Sequence, residues 1–209
     1  MRPASRLDAG AAASTGPATL SRPTASIHDD EALSRALVSG DAHAFRVLVE
    51  RETSRVFRVC YRVLGRVDEA EDATQETFVL AYRALGTYRG DGHPAAWVMR
   101  IAIREAWRRA AARSKRRSLT AELDEVAGRL PSGAPGPAAE ALLSEERDAV
   151  RRAVSGMREP YREVIALRFF ADLSILEICA ATGRPEGTVK AQIHRGLKHL
   201  REILTEGAP

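Results

Sequence analysis

The sequence has no long hydrophobic run and very little cysteine. No stretch of about eighteen consecutive apolar residues occurs among its 209 residues, so no segment is expected to insert into a membrane. Residues 1–26 lack the continuous apolar segment of a secretory signal, and a cytoplasmic location is therefore expected. Cys60 and Cys179 fall on apolar helix faces far apart in sequence, where buried thiols are expected rather than a disulfide.

Metal-ligand spacing and strand periodicity are also missing. No cluster of Cys, His and carboxylates has the spacing of a metal site, so no metal, cofactor or catalytic residue is predicted. No segment has the alternating pattern of a β-strand. Apolar residues make up 44% of the chain, which is enough for one or two small cores. The sequence therefore predicts an all-α protein.

Charge is distributed unevenly along the chain, although the net charge is only +4. Residues 66–80 carry five acids against Arg66 alone, whereas residues 97–117 carry eight Lys or Arg against Glu105 alone. A polyanionic partner responds to this distribution more than to the total. An acidic helix directly before a strongly basic one indicates two different partners, or one partner with two surfaces.

Changes of pattern divide the chain into four parts. Residues 1–26 are rich in Ala, Ser, Thr and Pro without periodicity and are expected to be disordered. Residues 27–113 form a first helical domain, in which an acidic helix over 68–85, a Gly-rich loop over 86–94 and a basic helix follow one another. Residues 114–138, with several glycines and prolines, are predicted to be a flexible linker. Residues 139–205 form a second small domain of four helices.

The second domain ends in a helix-turn-helix pattern. Ser174 and Glu177 form a capping box at the start of a short helix, and the segment GRPEG at 183–187 ends it. A second helix is predicted to start near Thr188, with four Lys or Arg against Glu202 as the one acid over 188–204. This pattern is typical of a helix that enters the DNA major groove, although an ordinary αα-hairpin with solvated charges has it too.

Two ordered motif blocks give the chain a resemblance to a known family. The first domain contains DEAEDATQETFVLAYRAL (68–85) and TYRGDGHPAAWVMRIA (87–102), and the second contains PYREVIALRFFADLSILEICAATGRPEGTVKAQIHRGLKHL (160–200). Together they resemble the extracytoplasmic-function (ECF) sigma factors of the sigma-70 family, from about residue 30 to residue 204. The resemblance implies an alternative sigma factor, not an enzyme, that binds core RNA polymerase and promoter DNA in the bacterial cytoplasm. It also implies an anti-sigma factor as a partner, which would hold the chain near the membrane.

The resemblance further implies which residues act. Helix 68–85 would dock on core polymerase through Asp72, Gln75, Glu76 and Phe78. The loop 86–94 and the basic helix after it would read the minus-10 element as a single strand and trap a flipped base. The residues at the matching positions are Tyr88, Arg89, His93, Trp97, Arg100, Arg104, Arg108 and Arg109. The second helix of the helix-turn-helix would enter the major groove at the minus-35 element. Its expected contacts are Glu186, Thr188, Lys190, Ala191, Gln192, Arg195 and Lys198.

Three departures from the family pattern bear on the details. Ala191 and Gln192 replace the Ser and Arg of the usual GTVKSRL, so the promoter sequence is not transferable from relatives. Arg104 and Arg108 replace a common Asn and Asp, which makes this surface more cationic. Gly196 stands where relatives usually carry Ala, at a cost of up to about 1 kcal/mol in a helix; it either permits close packing or softens the helix.

Some alternatives remain open at this point. A stand-alone helix-turn-helix regulator would bind duplex DNA without polymerase and would need no docking helix. An adaptor that only sequesters a partner would need no DNA contact. The acids of helix 68–85, taken without the resemblance, are best interpreted as helix N-terminal and solvated charges. Trp97 has two interpretations, a core anchor, which its position favours, or an aromatic ring that stacks on an exposed base.

Overall fold

The computed structural model describes residues 29–123 and 138–206, with side chains described over 29–117 and 145–205. All regular structure in these ranges is helical, as the sequence predicted. The helices are α1 (Asp30–Val38), α2 (Ala42–Leu64), α3 (Val67–Ala84), α4 (Pro94–Leu123), α5 (Ala138–Gly156), α6 (Tyr161–Phe169), α7 (Ile175–Thr182) and α8 (Glu186–Glu206), with a 3-10 turn at Leu85–Thr87. Within the described ranges, no helix combines the length and the apolar character needed to cross a membrane. The tail over 1–26, predicted to be disordered, lies outside the described residues.

Helices α1 to α4 form the first domain. Helix α2 begins after Asp41, whose carboxylate accepts a hydrogen bond of 2.8 Å from the His43 N–H, and it ends at Gly65 with φ 74°. Its apolar stripe faces the core, where Leu48, Val56 and Val63 are buried. Alanines let α3 and α4 approach α2 closely, since a methyl group is all that separates their backbones from it. The fully buried ones are Ala70, Ala73, Ala81, Ala96, Ala102 and Ala106.

Helix α4 is longer than predicted. The predicted first domain ends at Arg113 and the predicted flexible linker starts at Ser114, but the helix continues to Leu123. This part of the prediction is wrong because residues 114–123 contain neither Gly nor Pro, so nothing in the local sequence stops the helix at Arg113. The flexibility of the remaining linker stays a prediction, since residues 124–137 lie outside the described ranges.

Helices α5 to α8 form the second domain, and its turn is built as predicted. The Ser174 Oγ accepts a hydrogen bond of 3.2 Å from the Glu177 N–H, and the Glu177 carboxylate accepts one of 2.7 Å from the Ser174 N–H. Gly183 then ends α7 in the left-handed conformation, with φ 69°. On α8, a Cβ at Gly196 would lie 2.8 Å from Ile165 Cγ1 on α6. Gly196 therefore serves close packing of the two helices.

The two domains pack against each other. The indole of Trp107 on α4 faces the ring of Phe170, with centroids 6.4 Å apart, and the Arg162 guanidinium lies 5.9 Å from the Trp107 ring centre. On α2, Arg62 forms hydrogen bonds of 2.6 Å with the Phe170 carbonyl and with the Asp172 carboxylate. The sequence patterns predicted two domains and gave no indication of this contact.

Candidate nucleic-acid interface

One face of α8 is exposed along its whole first half. Thr188, Ala191, Arg195 and Lys198 are exposed at spacings of three and four residues, which places them on one side of the helix. Val189 is fully buried on the other side. The helix is therefore anchored in the second domain by its apolar side while its polar side is open to a partner.

Other predicted contacts of α8 bond to their neighbours. Glu186 and Lys190 form an ion pair of 2.6 Å, and the hydrogen bond to Glu186 raises the pKa of Lys190. The Gln192 Oε1 accepts a long hydrogen bond of 3.4 Å from Arg184 in the turn, and Gln192 is half-buried. Arg184 also donates a bond of 2.6 Å to the Glu163 carboxylate on α6. The turn residue Arg184 thus links Gln192 to the interior of the second domain.

The acidic side of α3 lies beside α4. The Asp72 side chain is 71% exposed, and Gln75 is also exposed, whereas Glu76 and Phe78 are half-buried. Arg109 on α4 donates a bond of 3.3 Å to the Asp72 carbonyl, and its guanidinium lies 3.7 Å from the Asp72 carboxylate. Of the four residues predicted to dock on polymerase, Asp72 and Gln75 are the most open to a partner.

The loop before α4 is built around a buried tyrosine. Tyr88 is 7% exposed, and its hydroxyl lies 2.8 Å from Ser34 Oγ and donates a bond of 2.9 Å to the Gly92 carbonyl. Burial raises the pKa of the Tyr88 hydroxyl. Tyr88, expected among the minus-10 contacts, is therefore not presented to solvent, because its hydroxyl has both hydrogen-bond partners inside the fold. Tyr88 fixes the loop from within.

The remaining loop residues are more accessible. Arg89 and His93 are exposed, and the His93 Nδ1 lies 3.0 Å from the Asp30 carboxylate on α1. Trp97 is half-buried and packs against the Tyr88 ring, with centroids 5.0 Å apart. Trp97 is thus a partial core anchor whose exposed portion lies next to the loop.

Two of the four α4 arginines predicted to bind the minus-10 strand, Arg108 and Arg109, bind a carboxylate of their own helix. Arg108 forms two hydrogen bonds of 2.7 Å with Glu105, and the Arg109 Nε donates one of 2.6 Å to the same group. The Glu105 side chain is 1% exposed. Burial raises the pKa of Glu105, but the two guanidiniums more than offset this, so the pKa lies below its ordinary value and the carboxylate stays ionised.

The other two arginines reach the second domain. The Nε atoms of Arg100 and Arg104 lie 2.9 Å and 3.0 Å from the Glu163 Oε1, and Arg100 also donates a bond of 2.8 Å to the Ala181 carbonyl. The Arg100 side chain is only 23% exposed, whereas the Arg108 side chain is 65% exposed. The predicted cationic face of α4 is therefore divided between solvent and the second domain.

Sequence reasoning missed Glu163 and Arg184. Glu163 stands directly before the buried apolar run at 164–167, where an ionised side chain needs a partner, and this was the available signal. No spacing rule connects it to Arg100, which lies 63 residues earlier in the chain. Within the described ranges, no group of His, Cys, Asp and Glu is arranged to hold a metal ion.

Two parts of the chain match known families in the order of the two domains. Residues 48–117 match Sigma-70 region 2, and residues 147–200 match Sigma-70, region 4. The ECF RNA polymerase sigma factor SigW of Bacillus subtilis is 30% identical over 172 residues, which cover 80% of this chain and 92% of SigW. The chain belongs to the ECF sigma factors.

Further relatives agree with this assignment. The RNA polymerase sigma-H factor of Pseudomonas aeruginosa is 31% identical over 180 residues, covering 84% of this chain and 93% of that protein. The ECF RNA polymerase sigma-E factor of Escherichia coli (strain K12) is 34% identical over 172 residues, covering 79% of this chain and 89% of that protein. The solved structure of CnrH in complex with the cytosolic domain of CnrY has a TM-score of 0.53 at 22% identity, covering 86% of this chain and 99% of that one. This last likeness shows a common fold.

The family determines the class of activity. This protein is an alternative sigma factor that directs transcription initiation, and its family consists of DNA-binding initiation factors rather than enzymes. The region 2 match contains α3, the loop and the arginines of α4, and the region 4 match contains the helix-turn-helix. Every residue predicted to contact polymerase or DNA thus lies inside one of the two matched segments.

Proposed function

We propose that this sigma factor docks on core RNA polymerase through α3 and reads the minus-10 and minus-35 promoter elements with its first and second domains. The observation that carries the proposal is the open face of α8, where Thr188, Ala191, Arg195 and Lys198 line one side of a helix that follows a capped turn. A helix anchored on its opposite side can enter a major groove without rearrangement of its domain.

The minus-35 element is assigned to α8. Helix-turn-helix proteins contact bases mainly from the first turns of the second helix, where Thr188, Lys190 and Ala191 are exposed. Gln192 can pair with adenine once it exchanges its long bond to Arg184 for a base edge. Glu186 orients Lys190 through their ion pair. Arg195 and Lys198, further along the helix, are placed for phosphates.

The minus-10 element is assigned to the loop and α4. Arg89 and His93 are exposed and Trp97 is partly exposed, so the single strand is assigned to these residues, and Tyr88 keeps the loop in shape. Base flipping costs a few kcal/mol, and stacking on an aromatic ring contributes about 1–3 kcal/mol per base, so Trp97 can offset a large part of it. The backbone of the strand would be bound by Arg100, Arg104, Arg108 and Arg109.

Core polymerase is assigned to the exposed side of α3. Asp72 and Gln75 are open to solvent, and Glu76 and Phe78 add a partly exposed carboxylate and an aromatic edge. A carboxylate face of this kind suits a basic partner surface. Charge complementarity there would mainly speed and orient docking.

Reversal of the α3 charges tests the docking surface. The double variant Asp72→Lys/Glu76→Lys is expected to lose at least about tenfold in affinity for core polymerase, measured with the full chain, because two attractions become repulsions. The matched control Glu31→Lys/Glu50→Lys makes the same charge change at exposed positions of α1 and α2 and should bind core as wild type does. Equal affinities for all three proteins would remove α3 from the docking surface. Failure of wild type to bind core at all would remove the whole proposal.

We also propose that the protein works in the bacterial cytoplasm and is held inactive near the membrane by an anti-sigma factor. Family membership supports this partner, and a solved protein of the same fold is known in complex with the cytosolic domain of another polypeptide. Affinity purification of the tagged chain from separated membrane and soluble fractions tests it. One stoichiometric partner in the membrane fraction is expected, and a chain that purifies alone from both fractions contradicts it.

A further inference from the structure

The turn residue Arg184 holds two side chains at once. The Nη2 atom of its guanidinium donates a hydrogen bond of 2.6 Å to the Glu163 carboxylate, and the Nη1 atom donates a long bond of 3.4 Å to the Gln192 Oε1. The backbone on either side restricts Arg184, because Gly183 ends α7 with φ 69° and the ring of Pro185 disfavours a helical conformation of the residue before it. Arg184 therefore bridges a buried anion on α6 and a side chain of α8.

The Glu163 end of this bridge is strong. The Glu163 side chain is 6% exposed, and Arg184 pairs with its Oε2. Arg100 and Arg104 form their hydrogen bonds with the other oxygen, Oε1. Burial raises the pKa of Glu163, but the hydrogen bond from Arg100 and the charges of the arginines around it outweigh burial, so the pKa lies below its ordinary value and the carboxylate is ionised. A short, charge-assisted hydrogen bond to this oxygen fixes the Arg184 guanidinium.

The Gln192 end determines which way the side-chain amide points. A guanidinium carries only donors, so the atom that faces Arg184 must be the amide oxygen. Because the amide is planar, its NH2 group then points away from Arg184. Gln192 lies four residues after Thr188 and three before Arg195, and it therefore shares the face of α8 on which both are exposed. With its oxygen held by the turn, Gln192 offers its NH2 donors to a partner on that face.

Bases differ in what they accept from such a donor. In the major groove, guanine presents O6 and N7 as acceptors and thymine presents O4, whereas cytosine presents its N4 amino group, a donor. Adenine pairs with Gln in a bidentate way, in which the amide oxygen accepts from N6 while the amide nitrogen donates to N7. An amide oxygen that stays on Arg184 does not complete that pair. Retention of the bond thus favours a base with a major-groove oxygen over adenine.

We propose that Arg184 is a positioning residue that sets the base preference of Gln192, favouring guanine or thymine over adenine at the minus-35 position that Gln192 contacts. This inference rests on the proposed function, in which α8 reads the minus-35 element and Gln192 pairs with adenine only after it leaves Arg184. The bond to Gln192 is long and therefore weak. The expected preference is accordingly about fivefold in relative affinity, the low end for a base contact.

Two replacements of Arg184 test the proposal. Arg184→Met keeps an unbranched side chain and removes every donor, whereas Arg184→Lys keeps a cation for Glu163 but lacks the fork of nitrogens that reaches Gln192 as well. The full chains are bound to core polymerase, and relative affinities are measured on duplex promoters with each of the four bases at each minus-35 position. Gln192→Ala identifies the position that Gln192 contacts. There, wild type should favour guanine or thymine over adenine by about fivefold, and both Arg184 variants should shift the preference toward adenine by at least about threefold.

A double-mutant cycle separates positioning from any other role of Arg184. In a Gln192→Ala background, Arg184→Met should leave the relative affinities for the four bases unchanged, because the amide on which Arg184 acts is gone. The matched control Arg201→Met removes an exposed arginine near the end of α8 and should keep the wild-type preference. A wild type that favours adenine, or a preference that both Arg184 variants retain, would overturn the proposal. An equal shift with and without Gln192 would do the same.

The same measurements distinguish this failure from failure of the proposed function. A complex of wild type with core polymerase that binds all minus-35 variants alike would overturn the reading of that element by α8. A wild type that discriminates, with Gln192→Ala discriminating in the same way, would overturn only the role of Arg184, because Gln192 then reads no base. Circular dichroism identifies any variant that does not fold. Should Arg184→Met not fold, Arg184→Lys, which keeps a cation beside Glu163, decides the outcome.

Discussion

Helices α4 and α8 both carry basic residues that are proposed to contact DNA, but the charges of the two helices are supported in different ways. The four α4 arginines proposed to bind the minus-10 strand (Arg100, Arg104, Arg108 and Arg109) pair with Glu105 and Glu163, whose side chains are 1% and 6% exposed. On α8, Arg195 and Lys198 form no ion pair with any residue that the structure describes. An arginine on a buried carboxylate is oriented and must exchange a partner before it binds phosphate, whereas a solvated cation exchanges only water. The arginines proposed for the minus-10 element must therefore exchange a carboxylate for a phosphate, whereas Arg195 and Lys198, proposed for the minus-35 element, exchange only water.

The two helices also differ in how they pack. Helix α4 contacts its neighbours through alanines, of which Ala96, Ala102 and Ala106 are fully buried. Helix α8 contacts α6 through Gly196, where even a methyl group would collide with Ile165. Alanine combines close approach with high helix propensity, whereas glycine gives the closer approach at a cost to the helix. The two helices that are proposed to contact DNA thus reach close packing by different means.

The largest effect is expected from removal of the Glu163 carboxylate. Glu163→Ala leaves Arg100, Arg104 and Arg184 without their shared anion, and loss of one partner from a buried ion pair costs about 3–5 kcal/mol. Because the Arg104 side chain is already 60% exposed and can be solvated by water, we expect the free energy of unfolding to fall by an amount near the lower end of this range, about 3 kcal/mol. Urea unfolding followed by circular dichroism measures it. Glu146→Ala, at an exposed acid of α5, should change stability by less than about 0.5 kcal/mol.

Acid should weaken the two carboxylate anchors of the α4 arginines, Glu105 and Glu163. The folded pKa values of Glu105 and Glu163 lie below the ordinary value of 4.5, so their contribution to stability is complete above that pH and is lost as pH falls through the folded pKa values. The urea midpoint of wild type should therefore drop as pH is lowered below about 4.5. Glu163→Gln should show a smaller drop, because one of the two carboxylates no longer titrates. Identical dependence of the urea midpoint on pH for wild type and Glu163→Gln would contradict a stabilising role of the ionised Glu163 carboxylate.

A smaller loss of stability is expected when a methyl group is added to α8 at Gly196. Gly196→Ala should destabilise by about 1–2 kcal/mol, since overpacking costs about 1–3 kcal/mol and the gain in helix propensity returns up to about 1 kcal/mol. Gly187→Ala is the matched control, because no atom lies within 4 Å of the position its Cβ would take. The control should leave stability unchanged or raise it slightly in the same urea experiment. A stabilising Gly196→Ala would mean that α6 can move away at no cost.

Local signals in the sequence were sufficient for the helix-turn-helix. Ser174, Glu177 and Gly183 each have a conformation set by neighbours within four residues, and the structure has all three as predicted. The predicted end of the basic helix at Arg113 was wrong, because a run of charged residues alone does not stop a helix. The burial of Tyr88 was not predicted, because its hydrogen-bond partner Ser34 is 54 residues away in the sequence. Periodicity reports which face of a helix is apolar but not what covers it, so the contact of Glu163 with α4 had no signature in the sequence.

The smallest effects separate base contacts from phosphate contacts within α8. Gln192→Ala is expected to change preference at one or two base pairs of the minus-35 element by about 1 kcal/mol each, the low end for a base contact, because Gln192 is half-buried. Binding of the full chain in complex with core polymerase to a library of minus-35 variants measures this preference. Losses that are equal on every variant would make Gln192 a positioning residue.

Lys198 gives the opposite expectation on the same library. Because its side chain is exposed about two turns beyond the positions proposed to read bases, Lys198→Ala should weaken binding to all sequences alike and reduce the slope of log affinity against log salt by about one. Arg104→Ala, measured on single-stranded DNA, should have a shallower effect on the salt slope than Lys198→Ala has on duplex DNA. Its guanidinium exchanges Glu163 for a phosphate, so part of the ion release is absent. Equal changes in slope would mean that the buried carboxylate does not condition the minus-10 surface, and the contrast between the two helices would be lost.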